Sequence, residues 1–154
     1  MGFNDSWLQN LPEKFLCVDP ESIKRQLESV LKDYPTLNPH GFVSASVAFG
    51  KAPQETDLKP SDFLKDADIY IPTIILCRQW LQDHQFRQTF NKAHSSYGYK
   101  HMVERRTNTY ITNGAFIAAA LTLDIPVKQC HPDSPNVYLP ISEKSLTKED
   151  LSAW

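Results

Sequence analysis

The clearest periodic stretch of the chain is "VDPESIKRQLESVLKDYP", in which Ile23, Leu27, Val30 and Leu31 recur at helical spacing among polar residues. Asp19 can cap this helix, Pro20 suits its first position and Pro35 stops it. From Thr36 to Lys59 the periodicity breaks down among Pro39, Gly41, Gly50 and Pro53. Within that stretch "FVSASVAF" alternates apolar and polar positions and predicts one short strand around 42–48, or else a helical fragment. "PSDFLKDA" predicts a short helix, and a further helix begins near Pro72 and runs to about Gln82. Its apolar residues, Ile71, Ile74, Ile75, Leu76, Cys77, Trp80 and Leu81, lie almost all the way round, as expected of a helix buried on several sides.

"QTFNKAHSS" is polar and reads as a link. Ser95 or Ser96 can then cap a helix over Tyr97 to Arg106, and Thr112 or Asn113 can cap another through "GAFIAAALTL", closed by Asp124 to Pro126. Its three consecutive alanines let a neighbouring helix come close while Phe116, Ile117, Leu121 and Leu123 supply bulk, which places this helix in the core. "PNVYLPIS" reads as a second extended segment, around 136–141. "TKEDLSAW" reads as a terminal helix, with Thr147 and Asp150 in reciprocal capping positions. Together these elements predict a mainly α fold: one compact helical domain over residues 1–154, built around the Ile74 and Phe116 helices, with two short strands at most.

A chain of 154 residues is long enough for one sizeable core, and 41% hydrophobic with 22% charged residues argues against wholesale disorder. The longest apolar run, "IYIPTIILC", is too short to span a membrane, and "MGFNDSWLQNLPEKF" lacks the features of a secretory signal. A cytoplasmic protein with no membrane partner is expected. Met1-Gly2 with Ser6 also fits the N-myristoylation pattern. Cys17, Cys77 and Cys130 are odd in number and widely spaced, which favours reduced thiols over disulfides or a structural metal. No glycine-rich phosphate loop or serine elbow is present, and no cofactor is expected.

Charge is unevenly distributed. Between Arg78 and Arg106 the cations Arg78, Arg87, Lys92, Lys100, Arg105 and Arg106 outnumber Asp83 and Glu104 by four, leaving the rest of the chain at −6 against a total of −2. Phe86, Phe90, Tyr97, Tyr99, His84, His94 and His101 are interleaved with them, a mixture suited to a phosphate backbone with stackable bases. The same residues would also serve as the solvated faces of two helices. A helix-turn-helix over 95–123 is disfavoured, because a second helix reading "AFIAAAL" offers no side chain to pair with base edges. Contact with nucleic acid or a nucleoprotein therefore falls to Arg87, Lys92, Tyr97, Lys100, Arg105 and Arg106.

Two pairs are candidates for chemistry. On the Tyr97–Arg106 helix, His101 and Glu104 share a stripe with Tyr97, and a carboxylate beside an imidazole can prepare an acid/base group. The structural alternative is that they hold helices together. A single His–Glu pair supplies too few ligands for a metal. The second pair is Arg78 and His84 in "RQWLQDH", which resembles the Arg-x(4–6)-His signature of the HEPN family, helical domains that often act as metal-independent RNases. The resemblance implies that Arg78 and His84 orient and protonate a scissile phosphate; Gln79 stands where that family carries Asn, His or Asp. More broadly, "SSYGYKHMVE", "TYITNGAFIAAALTL" and "NVYLPISEKSL" resemble a pattern in short proteins of bacterial plasmids, integrated elements and phages. That likeness implies an accessory protein of a mobile element. The resulting expectation is a non-enzymatic binding protein for nucleic acid or a nucleoprotein, with an RNA-cleaving enzyme and a protein–protein inhibitor as the alternatives.

Overall fold

The structure is a computed structural model that describes residues 6–152. The myristoylation pattern at Met1 and Gly2, and the last two positions of the expected terminal helix, lie outside that range. In chain order the elements are α1 (Ser6–Phe15), α2 (Pro20–Asp33), α3 (Ala45–Ala48), α4 (Asp62–Lys65), α5 (Ala67–Gln82), β1 (Phe86–Asn91), α6 (Ser96–Thr107), α7 (Asn113–Thr122), β2 (Lys128–Gln129), β3 (Val137–Ile141) and α8 (Lys148–Leu151), with a 3₁₀ turn at Glu143–Ser145 before α8. The mainly helical architecture expected from the pattern is present, joined by a small antiparallel sheet of order β1-β3-β2.

α7 forms the axis of the molecule. All ten of its residues are buried, and its most extensive packing is against α5. Ala115, Ala118, Ala119 and Ala120 carry only methyl groups, so α2, α5 and α6 all approach its backbone. Phe116, Ile117 and Leu121 fill the spaces between them, each contributing about 1.5–3 kcal/mol relative to exposure. Thr112 caps the helix by accepting from Ala115 N at 3.1 Å. Around this axis Ile23 and Leu27 of α2, Ile74, Cys77, Trp80 and Leu81 of α5, and Tyr99, Met102 and Val103 of α6 form one continuous core.

α2 starts and caps as its sequence predicts, with the Asp19 side chain accepting from Ser22 N at 3.1 Å. Three features depart from the pattern reading. Residues 42–48 form no strand: Phe42 donates its N–H to Pro135 O at 2.8 Å, and Ser44 then caps the helical turn α3. α5 begins at Ala67, not at Pro72, because a proline early in a helix sacrifices only one hydrogen bond. The "polar link" begins inside β1, an edge strand whose Arg87, Gln88 and Thr89 are exposed. Its pairing partner β3 buries Val137, Leu139 and Ile141, so β1 requires little apolar surface of its own. The extended segment at 136–141 is present as β3. The unforeseen α1 buries Trp7 and Leu11.

Candidate functional site

The cations of the middle third do not gather into one patch. Arg78 is 5% exposed and works inside the fold. Its guanidinium donates to Gln26 Oε1 at 2.9 Å and Thr122 Oγ1 at 2.8 Å, and to the carbonyls of Lys14 at 3.2 Å and Cys17 at 3.0 Å. Those carbonyls lie at and just beyond the end of α1, where the helix dipole favours a positive charge. Arg78 therefore ties α1, α2 and α7 to α5. Burial lowers its pKa from the ordinary arginine value.

His84 is also buried, but with different partners. Its Nε2 lies 2.7 Å from Asp150 Oδ2 and its Nδ1 lies 2.7 Å from the Trp80 carbonyl oxygen. Each ring nitrogen therefore has an oxygen within hydrogen-bonding distance. Trp80 stacks on the imidazole at 3.8 Å between centroids and donates its indole N–H to Asp150 Oδ1 at 3.1 Å. Asp150 also accepts from Thr147 N at 2.9 Å, completing the expected capping box. Burial works to raise the Asp150 pKa, but the bonds from His84, Thr147 and Trp80 outweigh it and hold the carboxyl below its usual range. Among the described residues Arg78 and His84 share no partner and face different elements, so the pair suggested by the HEPN resemblance does not converge on a common cleft.

Arg105 and Arg106 belong to this second network. Arg105 donates to the Asp150 carbonyl, and Arg106 contacts Asp83 at 2.9 Å and Asp150 Oδ1 at 3.6 Å. Both anchor α8 to α6, and Arg106 also anchors the end of α5. Arg87 and Lys92 remain exposed, Arg87 reaching Thr89 Oγ1 on its own strand at 2.9 Å.

The other face of α6 has a different character. Lys100 is 6% exposed, and its ammonium group lies 5.2 Å from the Tyr97 ring centre, 5.1 Å from that of Tyr110 and 3.2 Å from Glu104 Oε2. Glu104 also takes His101 Nδ1 at 2.7 Å on Oε1 and the Ile111 N–H at 3.0 Å on Oε2, which fixes the turn between α6 and α7. Burial acts to raise the Glu104 pKa, but the Ile111, Lys100 and His101 bonds prevail and lower it. His101 meets the Tyr97 ring edge-on at 4.6 Å, so Tyr97, Lys100, His101 and Glu104 form one cluster on a single helix face. The i, i+3, i+4 spacing made that cluster legible. Tyr110, which lies in the following loop, carried no such signal.

Beside Lys100 a cavity of about 490 Å³ opens between α6, the start of α7 and the loops at 39–40, 48–58 and 131–136. Tyr97 at 51% and Tyr110 at 74% exposure stand on its wall, with Phe49 and Leu58 also exposed. Asn113 lines it from within: its Nδ2 holds the carbonyls of His40 and Pro135 and the Asn136 side chain, while its Oδ1 is buried with no partner among the described residues. Gly114 follows because a Cβ there would overlap the Asn38 carbonyl and come within 2.8 Å of the Pro39 carbonyl carbon. The Gly114 N–H donates to Pro39 O at 3.0 Å, so the start of α7 sits directly on that loop and shapes the cavity. Thus "SSYGYKHMVE" and "TYITNGAF" meet at this cavity, although they are separate stretches of sequence.

Among the described residues no three of His, Cys, Asp and Glu converge as a metal site requires, and no helix is long and apolar enough to cross a membrane. Comparison with protein-family models, with curated proteins and with solved structures returns no match.

Proposed function

We propose that this chain is a non-enzymatic binding protein of a mobile element, contacting nucleic acid or a nucleoprotein through the tyrosine-walled cavity beside α6. The observation that carries this reading is the pair of outward rings, Tyr97 and Tyr110, flanking the Lys100 ammonium at 5.2 and 5.1 Å on the edge of an open cavity. Exposed aromatic faces beside a cation are the elements from which single-strand sites are built, since every base has a face to stack. Arg87 and Lys92 are left as peripheral contacts for phosphate. Lys100, Arg105 and Arg106, expected among the contact residues, serve instead in ion pairs and hydrogen bonds.

Fluorescence anisotropy with labelled single-stranded DNA, duplex DNA and RNA at low salt tests the reading. Binding of at least one probe is expected, with a shallow dependence on salt because few phosphates are neutralised. No binding to any of the three rejects it. A protein partner is the second reading, supported by Phe49 at 79% and Leu58 at 43% exposure on the same rim.

A further inference from the structure

Asn113-Gly114, at the start of α7, is an Asn-Gly step, the dipeptide most prone to spontaneous rearrangement, because glycine has no side chain to keep its backbone nitrogen from the neighbouring amide carbon. No other Asn-Gly step occurs in the sequence, so such chemistry concentrates here. We infer that Asn113 is a self-modification site that the native fold holds shut, and that its modification makes unfolding irreversible. The site operates whatever the cavity beside α6 binds.

In the opened chain the Gly114 nitrogen gives up its proton to solvent and attacks Cγ of Asn113. The N–Cγ bond forms, the Cγ–Nδ2 bond breaks, and the amide nitrogen leaves as ammonia, which closes a five-membered succinimide. Water then opens that ring at either carbonyl and leaves aspartate or isoaspartate at position 113. One water is consumed, one ammonia is released, and nothing is oxidised or reduced.

Folding restrains each participant. The Gly114 N–H donates to Pro39 O at 3.0 Å, and a Cβ at Gly114 would overlap the Asn38 carbonyl, so the peptide has no room to turn. Asn113 Nδ2 donates toward His40 O at 3.2 Å, Pro135 O at 3.1 Å and Asn136 Oδ1 at 3.0 Å, which pins the amide that would have to leave. Ring closure needs the 113–114 peptide to leave its helical conformation, and so needs the first turn of α7 to lift off the 38–40 loop.

The product does not fit the site it came from. Three oxygens there require an N–H, whereas an ionised aspartate only accepts. Asn113 is 7% exposed, and among the described residues no donor meets its Oδ1, so the new charge would be buried against acceptors. An uncompensated buried charge is strongly destabilising. Isoaspartate also inserts an extra backbone carbon into the first turn of α7. Modification of the unfolded chain therefore withdraws it from the folding equilibrium.

The test incubates the full chain in mildly alkaline buffer, with and without urea above the unfolding midpoint, and follows position 113 by peptide mapping with mass spectrometry. Modification is expected to be about a hundredfold slower in the folded chain, since cyclisation waits for a rare local opening. After dilution from urea, folded chain isolated by size exclusion should carry unmodified Asn113 alone. Asn113→Ala deletes the amide without adding charge; its refolding yield should stay constant with time in urea while that of the wild type declines. Asn113→Asp should show no cooperative melt. Equal rates in folded and unfolded chain overturn the shut site. Folded chain carrying aspartate or isoaspartate at 113, or an Asn113→Ala yield that declines as fast as the wild type, overturns the irreversibility.

Discussion

Replacing Arg78 by methionine removes the guanidinium while keeping most of the side-chain stem, and so isolates what its charge does inside the fold. Four acceptors, on α1, α2, α7 and the loop after α1, lose the guanidinium: Gln26 Oε1, Thr122 Oγ1 and the carbonyls of Lys14 and Cys17, of which the Lys14 carbonyl still accepts from Cys17 N at 3.2 Å. Hydrogen bonds from a charged donor contribute about 1.5 kcal/mol each at the lower end, roughly 6 kcal/mol for the set. Relief from burying the cation returns roughly half of that. Thr122 Oγ1 still donates to Ala119 O at 2.7 Å, and the Gln26 side chain is only half-buried, so neither adds a large further penalty. A net loss of about 3 kcal/mol is expected, which for a chain of this size lowers the melting temperature by about 6–12 °C. Urea denaturation monitored by circular dichroism measures it. Arg78→Lys should recover only part of the loss, since an ammonium group cannot reach all four acceptors from one point. A cost below about 0.5 kcal/mol for Arg78→Met refutes the clamp and returns Arg78 to the list of residues available for phosphate.

Gly114→Ala forces a methyl group into the Asn38–Pro39 backbone and is expected to cost about 3 kcal/mol, measurable by thermal melting. The triple variant Lys100→Ala, Arg105→Ala, Arg106→Ala is expected to lose about 3 kcal/mol, because all three side chains hold neighbouring elements; an unchanged melting temperature contradicts that assignment. Asp150 and Glu104 both have folded-state pKa values below their unfolded ones. Their stabilisation is therefore complete above the ordinary carboxylate range and lost as pH falls through it toward the folded values, so a urea midpoint series from neutral to acid pH should decline, and Asp150→Asn should flatten the decline.

Helices α2 and α7 were legible because their own residues carry the caps and the apolar bulk that tertiary packing then uses; α6 was legible from the spacing of Tyr97, His101 and Glu104, although Ser95, expected to cap it, makes no side-chain capping bond. β1 was not, because Phe86-Arg-Gln-Thr-Phe-Asn has no buried face of its own and is a strand only because β3 lies beside it. β2 is two residues long and has no pattern to read. The alternation at Phe42–Phe49 misled for the opposite reason: a strand signal was present, but Pro135 and Ser44 claimed the backbone groups it needed. Cations deceive similarly. Arg78, Arg105 and Arg106 look like a surface in one dimension, and only the fold brings them to Gln26, Asp150 and Asp83. The His101–Glu104 pair was visible from its three-residue step. Asn113 and Tyr110 were not assigned to a site with Lys100, because their meeting depends on how the α6–α7 turn closes.

Ligand contact at the Tyr97–Tyr110 cavity, and not along a cationic stripe, is most directly tested by amide chemical-shift mapping of the full chain titrated with a short single-stranded oligonucleotide. The expected result is a cluster of shifted signals at Tyr97, Lys100, Tyr110, Asn113 and Gly114, with Arg105 and Arg106 little changed. Shifts concentrated on Arg87, Lys92, Arg105 and Arg106, with the cavity residues unmoved, would contradict it.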